Sequence, residues 1–154
     1  MERKDASDST LSGFPFLIVG ENGAYAGMHV LIDFYGARCL NNSDVMHKAL
    51  LESAEAAGAT VLNVYVHTFG SGGGVTGLAL LAESHISVHS WPEYGFAAFD
   101  VFMCGKARPN DALPVLLEAF RPRTYMVQEV RRGDCVTRTA ESTWSLRHNQ
   151  KEGR

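Results

Sequence analysis

Three β-strand patterns follow one another between residues 60 and 104, and no helical pattern separates them. Thr60–Phe69 is β-branched and apolar, residues 78–88 form one strand interrupted near residue 84, and Phe96–Cys104 is a nearly unbroken apolar run. Successive strands joined by short connections usually pair as neighbours, as in a hairpin. More than any other feature, this block constrains the chain to an antiparallel sheet.

Helical patterns flank the block on both sides. Residues Asp44–Ala57 carry apolar side chains at helical spacing, with Asn41-Asn42-Ser43 available as an N-cap and Gly58 as a stop. A second helix begins at Pro109-Asn110-Asp111, and Pro122 ends it.

Two outer strands, His29–Tyr35 and Thr124–Val130, complete the order β-α-β-β-β-α-β. Helices and an antiparallel sheet in this order pack as two layers around one core. The sequence therefore predicts the α+β class, a two-layer sandwich in which an antiparallel β-sheet carries two helices on one face.

The length of 154 residues favours one domain with an extension at each end. Residues 1–20 are expected to be a flexible N-terminal extension, whose apolar part at residues 14–19 docks on the body. Residues 21–132 form the single domain. Residues 133–154 form a polar C-terminal tail that Trp144 could anchor.

Charge and cysteine content exclude several classes of partner. Lys+Arg 14 and Asp+Glu 17 give a net charge of −3, which argues against a nucleic acid as the main partner. No apolar run is long enough to span a bilayer, so no membrane partner is expected. Cys39, Cys104 and Cys135 are odd in number and lack a Cys-x-x-Cys spacing, which favours a reducing cytoplasm.

Three familiar kinds of site fit the motifs poorly. The Gly70–Gly74 loop follows a strand but leads into another strand without a Lys-Ser/Thr pair, so it is not typical of phosphate binding. His67, His85 and His89 lack an obvious carboxylate or further ligand, so we expect no metal. Ser84 lacks the Gly-x-Ser-x-Gly elbow of a hydrolase, and strand alternation places it opposite to His89.

The stretch ESHISVHSWPEYGFAAFDVFMCG closely resembles the signature of the prokaryotic S-adenosylmethionine decarboxylases, a family of self-processing, pyruvoyl-dependent enzymes. The resemblance extends from about residue 27 to about residue 132. The matching positions are Glu83-Ser84-His85, His89, Trp91-Pro92-Glu93 and Cys104-Gly105.

The resemblance implies that the chain cuts itself between Glu83 and Ser84. The Ser84 hydroxyl would attack the Glu83 carbonyl to form an ester, and His89 would then accept the Ser84 α-proton so that the ester is eliminated. Hydrolysis would leave a pyruvoyl group at the new N-terminus. Thr76 stands where relatives have a serine that supports processing, and Cys104 matches the family's proton donor.

The resemblance also implies a substrate and an assembly. The pyruvoyl group would form a Schiff base with the amine of S-adenosylmethionine, and the decarboxylated product would be the aminopropyl donor for spermidine biosynthesis. Glu93 would accept the ribose hydroxyls, Phe69 would stack on adenine, and Trp91 would line the pocket. The family forms homodimers of cleaved units, with active sites at the subunit interface.

Two alternatives stay open at this point. The stretch from residue 67 to residue 77 is one residue longer than the family pattern and lacks its proline, and it carries part of the substrate pocket. Pyruvoyl-dependent decarboxylation of ornithine or arginine on the same scaffold is therefore the first alternative. The second is an unprocessed, non-enzymatic binding relative.

Overall fold

The computed structural model describes residues 16–20 and 23–133, so that Cys135 and Trp144 lie outside the described residues. The main sheet has six antiparallel strands in the order β4-β5-β6-β7-β3-β8, and β1 pairs with β2 in a separate two-stranded sheet. The strands are β1 (Ile18–Gly20), β2 (Gly23–Tyr25), β3 (Gly27–Tyr35), β4 (Val61–Thr68), β5 (Val75–Leu81), β6 (Ser84–Trp91), β7 (Phe96–Met103) and β8 (Thr124–Arg132).

Two helices, α1 (Ser43–Ala56) and α2 (Ala112–Phe120), cover one face of the main sheet. The Asn42 side chain caps α1 by accepting from two backbone N–H groups at 3.0 Å, and Gly58 follows the helix with φ +71°. A 3-10 turn at Pro109–Asp111 leads into α2. The predicted α+β two-layer sandwich is therefore confirmed.

The hydrophobic core lies between the helices and the inner face of the sheet. Phe120 of α2 packs on Phe99 of β7 with ring centroids 5.6 Å apart, and Phe99 in turn contacts Phe34 of β3 at 5.3 Å. Alternate residues of each strand enter this layer, as the period of two requires. The fully buried members with the largest side chains are Phe34, Phe99, Phe120, Ile32, Met46, Leu50, Ile86, Met103, Leu116, Val30, Val75 and Val101.

The prediction of one interrupted strand over residues 78–88 is wrong. The chain reverses at Ala82-Glu83, so that β5 and β6 are separate antiparallel neighbours with Leu81 opposite Ser84. The two central positions hold neither glycine nor asparagine, the residues that usually signal a two-residue hairpin turn. The alternation along β6 is unbroken, because Ile86 and Val88 are both buried while His89 is exposed.

No helix covers the opposite face of the sheet within the described residues, and we call it the open face. It carries apolar side chains that are exposed by 38–63% in the single chain. The residues concerned come from four of the six strands and are Tyr35, Tyr65, Leu78, Leu80, Met126 and Val130.

Residues 16–20 lie against the domain, as expected for the apolar part of the N-terminal segment. The Gly105 N–H donates to the Phe16 carbonyl at 3.0 Å, and Ile18 pairs with Tyr25. Among the described residues, no helix is long and apolar enough to cross a membrane.

Candidate functional site

The turn between β5 and β6 holds the Glu83–Ser84 peptide bond in a fixed position. The Glu83 carboxylate accepts hydrogen bonds from the Thr60 N–H at 2.8 Å and the Thr60 hydroxyl at 3.1 Å. The Ala82 N–H donates to the Thr60 carbonyl at 2.9 Å. These three hydrogen bonds attach both turn residues to the segment just before β4, and they restrict movement of the Glu83–Ser84 peptide bond.

The backbone is strained at the serine of this turn. Ser84 has φ +151°, a region that residues with a Cβ atom rarely adopt. Such conformations cost of order 1–3 kcal/mol and are kept only where surrounding contacts enforce them. In a two-residue hairpin turn, the positive φ angle is usually adopted by a glycine inside the turn. Here it is adopted by Ser84, the residue that follows the turn.

Cys104 holds the carbonyl of the same peptide bond. The Cys104 thiol lies 3.0 Å from the Glu83 carbonyl oxygen, and the Cys104 N–H donates to that oxygen at 3.2 Å. Two donors on one carbonyl oxygen polarise it and would stabilise negative charge there during nucleophilic attack. Burial raises the pKa of the Cys104 thiol above its ordinary value, with a further increase from the Glu83 carboxylate, although the hydrogen bond at the Cys104 backbone opposes both. The thiol is therefore protonated at neutral pH and can donate.

The imidazole nearest to Ser84 belongs to the next residue. His85 Nδ1 lies 3.1 Å from Ser84 Oγ, and its ring packs edge-on to Phe102 at 6.1 Å. Glu83, Ser84, His85 and Cys104 together are called the cleavage cluster below.

A second cluster lies at the other end of β6. The His89 ring is 4.8 Å from Trp91 and 5.7 Å from Phe69, while Phe69 lies 5.0 Å from His67. Thr76 is directly opposite His89 in the β5–β6 register, and its hydroxyl donates to the Val88 carbonyl at 3.3 Å. The aromatic cluster denotes Phe69, Thr76, His89, Trp91 and the neighbouring Glu93.

Glu93 is in the 3-10 turn Pro92–Tyr94 that follows Trp91. Its side chain is exposed and makes no hydrogen bond or ion pair to any other described residue. The carboxylate is therefore free to bind a ligand. In the Gly70–Gly74 loop beside the cluster, a Cβ atom at Gly73 would lie 1.7 Å from the Phe69 carbonyl oxygen, whereas one at Gly70 or Gly72 would meet no atom within 4 Å.

The structure does not bring Ser84 and His89 together within one chain. They are five residues apart on a continuous strand, a separation of about 17 Å. The sequence placed them on opposite faces of one strand, and β6 runs without interruption from Ser84 to Trp91. The predicted site residues therefore form two groups, one at each end of β6.

Sequence reasoning missed several polar residues next to the cleavage cluster. His29 Nε2 lies 3.0 Å from Asp100 Oδ1, and Arg132 donates to His29 Nδ1 at 3.3 Å. Thr60 was overlooked as well. No local sequence pattern identifies His29 and Arg132 as neighbours of the cluster. They lie on β3 and β8, which are placed beside β7 by the non-sequential strand order β6-β7-β3-β8.

Metal ligation has no support in the described residues, which contain no group of three or more His, Cys, Asp or Glu side chains that could hold an ion. A strained serine lies next to an imidazole, and two donors hold the preceding carbonyl, an arrangement that would favour attack of the hydroxyl on that carbonyl. Fold and site thus define a class, the α+β sandwich proteins with a polarised peptide bond before a strained serine.

Comparison with known proteins identifies the family. The family model for S-adenosylmethionine decarboxylase matches residues 28–133. The S-adenosylmethionine decarboxylase proenzyme of Thermomicrobium roseum is 40% identical over 111 residues, which are 71% of this chain and 96% of that protein. The proenzyme of the same name from Acetivibrio thermocellus is 46% identical over 110 residues, which are 70% of this chain and 88% of that protein.

A solved structure agrees with these relatives. The crystal structure of the adenosylmethionine decarboxylase from Aquifex aeolicus matches with a TM-score of 0.63 and 32% sequence identity, covering 70% of this chain and 90% of that one. The chain belongs to the S-adenosylmethionine decarboxylase family, as the resemblance in its sequence predicted.

Proposed function

We propose that this protein is a self-processing, pyruvoyl-dependent enzyme that converts S-adenosylmethionine to its decarboxylated form, the aminopropyl donor for spermidine biosynthesis. The observation that carries the proposal is the geometry at the Glu83–Ser84 bond. A strained serine follows a carbonyl that accepts from Cys104 at 3.0 and 3.2 Å. Membership in the family supplies the reaction, since the matched relatives are named decarboxylase proenzymes.

In the processing reaction, the Ser84 hydroxyl attacks the Glu83 carbonyl and the amide becomes an ester. Cys104 stabilises the oxyanion that forms on the Glu83 oxygen, because both of its donors already point there. Relief of the strain at Ser84 favours the same step. An imidazole, assigned to His89, then takes the Ser84 α-proton, and elimination followed by hydrolysis leaves a pyruvoyl group.

In the decarboxylation, the pyruvoyl group supplies a ketone that binds the substrate amine and takes up the electron pair released with carbon dioxide. Cys104 lies beside the position of Ser84, and its thiol keeps its proton because burial raises the pKa of Cys104. It can therefore return a proton to the former α-carbon.

The aromatic cluster fits the nucleoside part of the substrate. Phe69 is 47% exposed beside the Trp91 and His89 rings, so that an adenine can stack on it. The unpaired carboxylate of Glu93 can accept both ribose hydroxyls in charge-assisted hydrogen bonds. This combination supports S-adenosylmethionine over a free basic amino acid, which has no aromatic base to stack.

We further propose that the functional unit is a homodimer of cleaved chains that pair through their open faces. The two clusters are about 17 Å apart on β6, too far for one chain to combine them. A two-fold interface is self-complementary, so the cleavage cluster of one chain can meet the aromatic cluster of the other, twice. The exposed apolar side chains of the open face would be buried in the same event.

The remaining proposals concern the setting of the enzyme. We place it in the cytoplasm, because the odd number of cysteines suits a reducing compartment. Residues 21–132 form its catalytic domain, with residues 1–20 and 133–154 as extensions.

Intact-mass measurement followed by assays with three substrates tests the function. We expect an 83-residue chain and a 71-residue chain blocked by pyruvate, as 154 − 83 = 71. The Ser84→Ala variant should stay a single chain. S-adenosylmethionine should be decarboxylated, and ornithine and arginine should not. An active protein that is full-length and unblocked would refute the mechanism, and turnover of an amino acid alone would refute the substrate.

A further inference from the structure

His85 belongs to the cleavage cluster but has no part in the mechanism given above. Its Nδ1 atom lies 3.1 Å from Ser84 Oγ, the atom that must give up its proton as it attacks Glu83. Among the described side chains, His85 is the one within hydrogen-bonding distance of that hydroxyl. The His89 side chain, by contrast, is about 17 Å along the strand in the same chain.

The surroundings of His85 favour an imidazole that is free to accept a proton. Burial lowers the pKa of His85 below 6.5, and the neighbouring His29 lowers it further, while Asp100 opposes both. His29 is itself held by Asp100 on β7 and Arg132 on β8. Other groups that face the ring are the apolar Leu80 of β5 and Phe102 of β7.

We propose that His85 is the general base of the first processing step and accepts the Ser84 hydroxyl proton on Nδ1. The inference rests on the proposed self-cleavage. As the proton moves to Nδ1, Ser84 Oγ bonds to the Glu83 carbonyl carbon, and the electron pair of that carbonyl moves onto the oxygen held by Cys104. His85 then returns the proton to the Ser84 nitrogen as the carbon–nitrogen bond breaks and the ester forms.

This assignment divides processing between two histidines. His85 acts before the ester exists, within its own chain, and His89 acts afterwards on the α-proton. Loss of His85 therefore stalls the chain as an amide, while loss of His89 stalls it as an ester. Hydroxylamine distinguishes the two states, because it cleaves esters readily and leaves ordinary amides intact.

The test follows cleavage of freshly synthesised wild-type, His85→Gln and His89→Gln chains by intact mass, with and without hydroxylamine. We expect His85→Gln to cleave roughly 10²–10⁴-fold more slowly than wild type, the usual contribution of a general base, and hydroxylamine not to restore the rate. Hydroxylamine should cut His89→Gln into an 83-residue hydroxamate and a 71-residue chain that begins with unblocked Ser84.

Controls separate the possible failures. His47→Gln, at an exposed position of α1, should cleave at the wild-type rate. If the wild type itself stays intact, the proposed self-cleavage is wrong. Two results would refute only the role of His85, provided that the wild type cleaves. In the first, His85→Gln cleaves at the wild-type rate, and in the second, hydroxylamine cuts His85→Gln as fast as His89→Gln.

The pH dependence of wild-type cleavage provides a second measurement that needs no variant. Because burial lowers the pKa of His85 below 6.5, more of its ring is neutral at a given pH than for an ordinary imidazole. The rate of cleavage should therefore fall on acidification with a midpoint below pH 6.5, as the ring gains a proton. A cleavage rate that does not fall even at a pH low enough to protonate an ordinary imidazole fully, and a buried one as well, would contradict the proposal.

Discussion

The two ends of β6 differ in how completely a single chain organises them. At the Ser84 end, hydrogen bonds from Thr60 and Cys104 hold the turn on both sides, and the serine already contacts an imidazole. At the Trp91 end, aromatic rings stand against one another on an exposed surface, and Glu93 has no partner among the described residues. The Ser84 end is held by hydrogen bonds within the chain, whereas the Trp91 end presents its side chains at the surface.

This difference follows from the chemistry that each end has to perform. Attack on an adjacent carbonyl is an intrachain reaction, so it gains from groups fixed in advance by the same chain. Recognition of a nucleoside or a second chain needs exposed stacking surfaces and unpaired acceptors. The comparison predicts that substitutions at the Ser84 end affect chemistry within the chain. At the Trp91 end, substitution of Glu93 should affect substrate binding, and substitution of His89 or Thr76 should affect cleavage.

The largest effect is expected for Cys104→Ala. Turnover by cleaved enzyme should fall roughly 10²–10⁴-fold, the usual contribution of a general acid, and self-cleavage should slow because the Glu83 carbonyl loses one of its two donors. Decarboxylation assays on cleaved protein and a time course of cleavage would measure the two effects separately. Cys39→Ala, which removes an exposed thiol, serves as the control and should behave as wild type.

The pH profile sharpens this prediction. Burial is the main cause that raises the pKa of Cys104 above its ordinary value of 9.0, so more than half of the thiol is protonated at the pH where a free thiol is half ionised. The alkaline fall in turnover that depends on thiol protonation should accordingly have its midpoint above pH 9.0. Wild-type turnover in Cys104→Ala would remove the thiol from the mechanism.

A smaller effect, confined to binding, is expected for Glu93→Gln. Hydrogen bonds to a charged group are each worth roughly 1.5–3 kcal/mol, so the KM for S-adenosylmethionine should rise by about tenfold or more. Self-cleavage should be unchanged, since Glu93 lies at the far end of β6 from Ser84. Steady-state kinetics would test this against Glu55→Gln on the outer surface of α1. An unchanged KM with lower stability would mean that Glu93 only supports its turn.

The smallest effect is expected for Thr76→Ser, which restores the residue of the family pattern. The hydroxyl is kept and a methyl group next to His89 is removed, so cleavage should become modestly faster without a change in the KM. A cleavage time course of both proteins would measure the difference. Slower cleavage in the serine variant would show that the threonine methyl group helps to position His89.

Local patterns in the sequence were sufficient for the helices and most strands. The Asn42 cap and the Gly58 stop depend on neighbours along the chain, so their residue types alone located α1. The turn at Ala82-Glu83 lacks any such signal. Its geometry is imposed by Thr60 and Cys104, which are distant in sequence, and the positive φ falls on Ser84 instead of a glycine.

Part of the candidate site could be predicted in the same way. Strand alternation predicted Ser84 and His89 on opposite faces of one strand, but it could not show that the chain reverses at Ala82-Glu83, directly before Ser84. The contacts of His85 with Phe102 and of His29 with Asp100 require β3 to lie beside β7. That pairing joins segments some 70 residues apart, for which local pattern carries no information.

The most direct test of the account is cleavage between chains that carry complementary defects. Ser84→Ala chains cannot be cut but supply an intact aromatic cluster, and His89→Ala chains have an intact serine but lack the histidine. Each variant alone should remain full-length. Both variants are produced together with different tags, and the mixed dimer is isolated. The His89→Ala chain of this dimer should be cut into 83- and 71-residue fragments, because its serine contacts the His89 side chain of the Ser84→Ala chain. If mixed dimers form and both chains stay full-length, the two ends of β6 do not belong to one site across the interface.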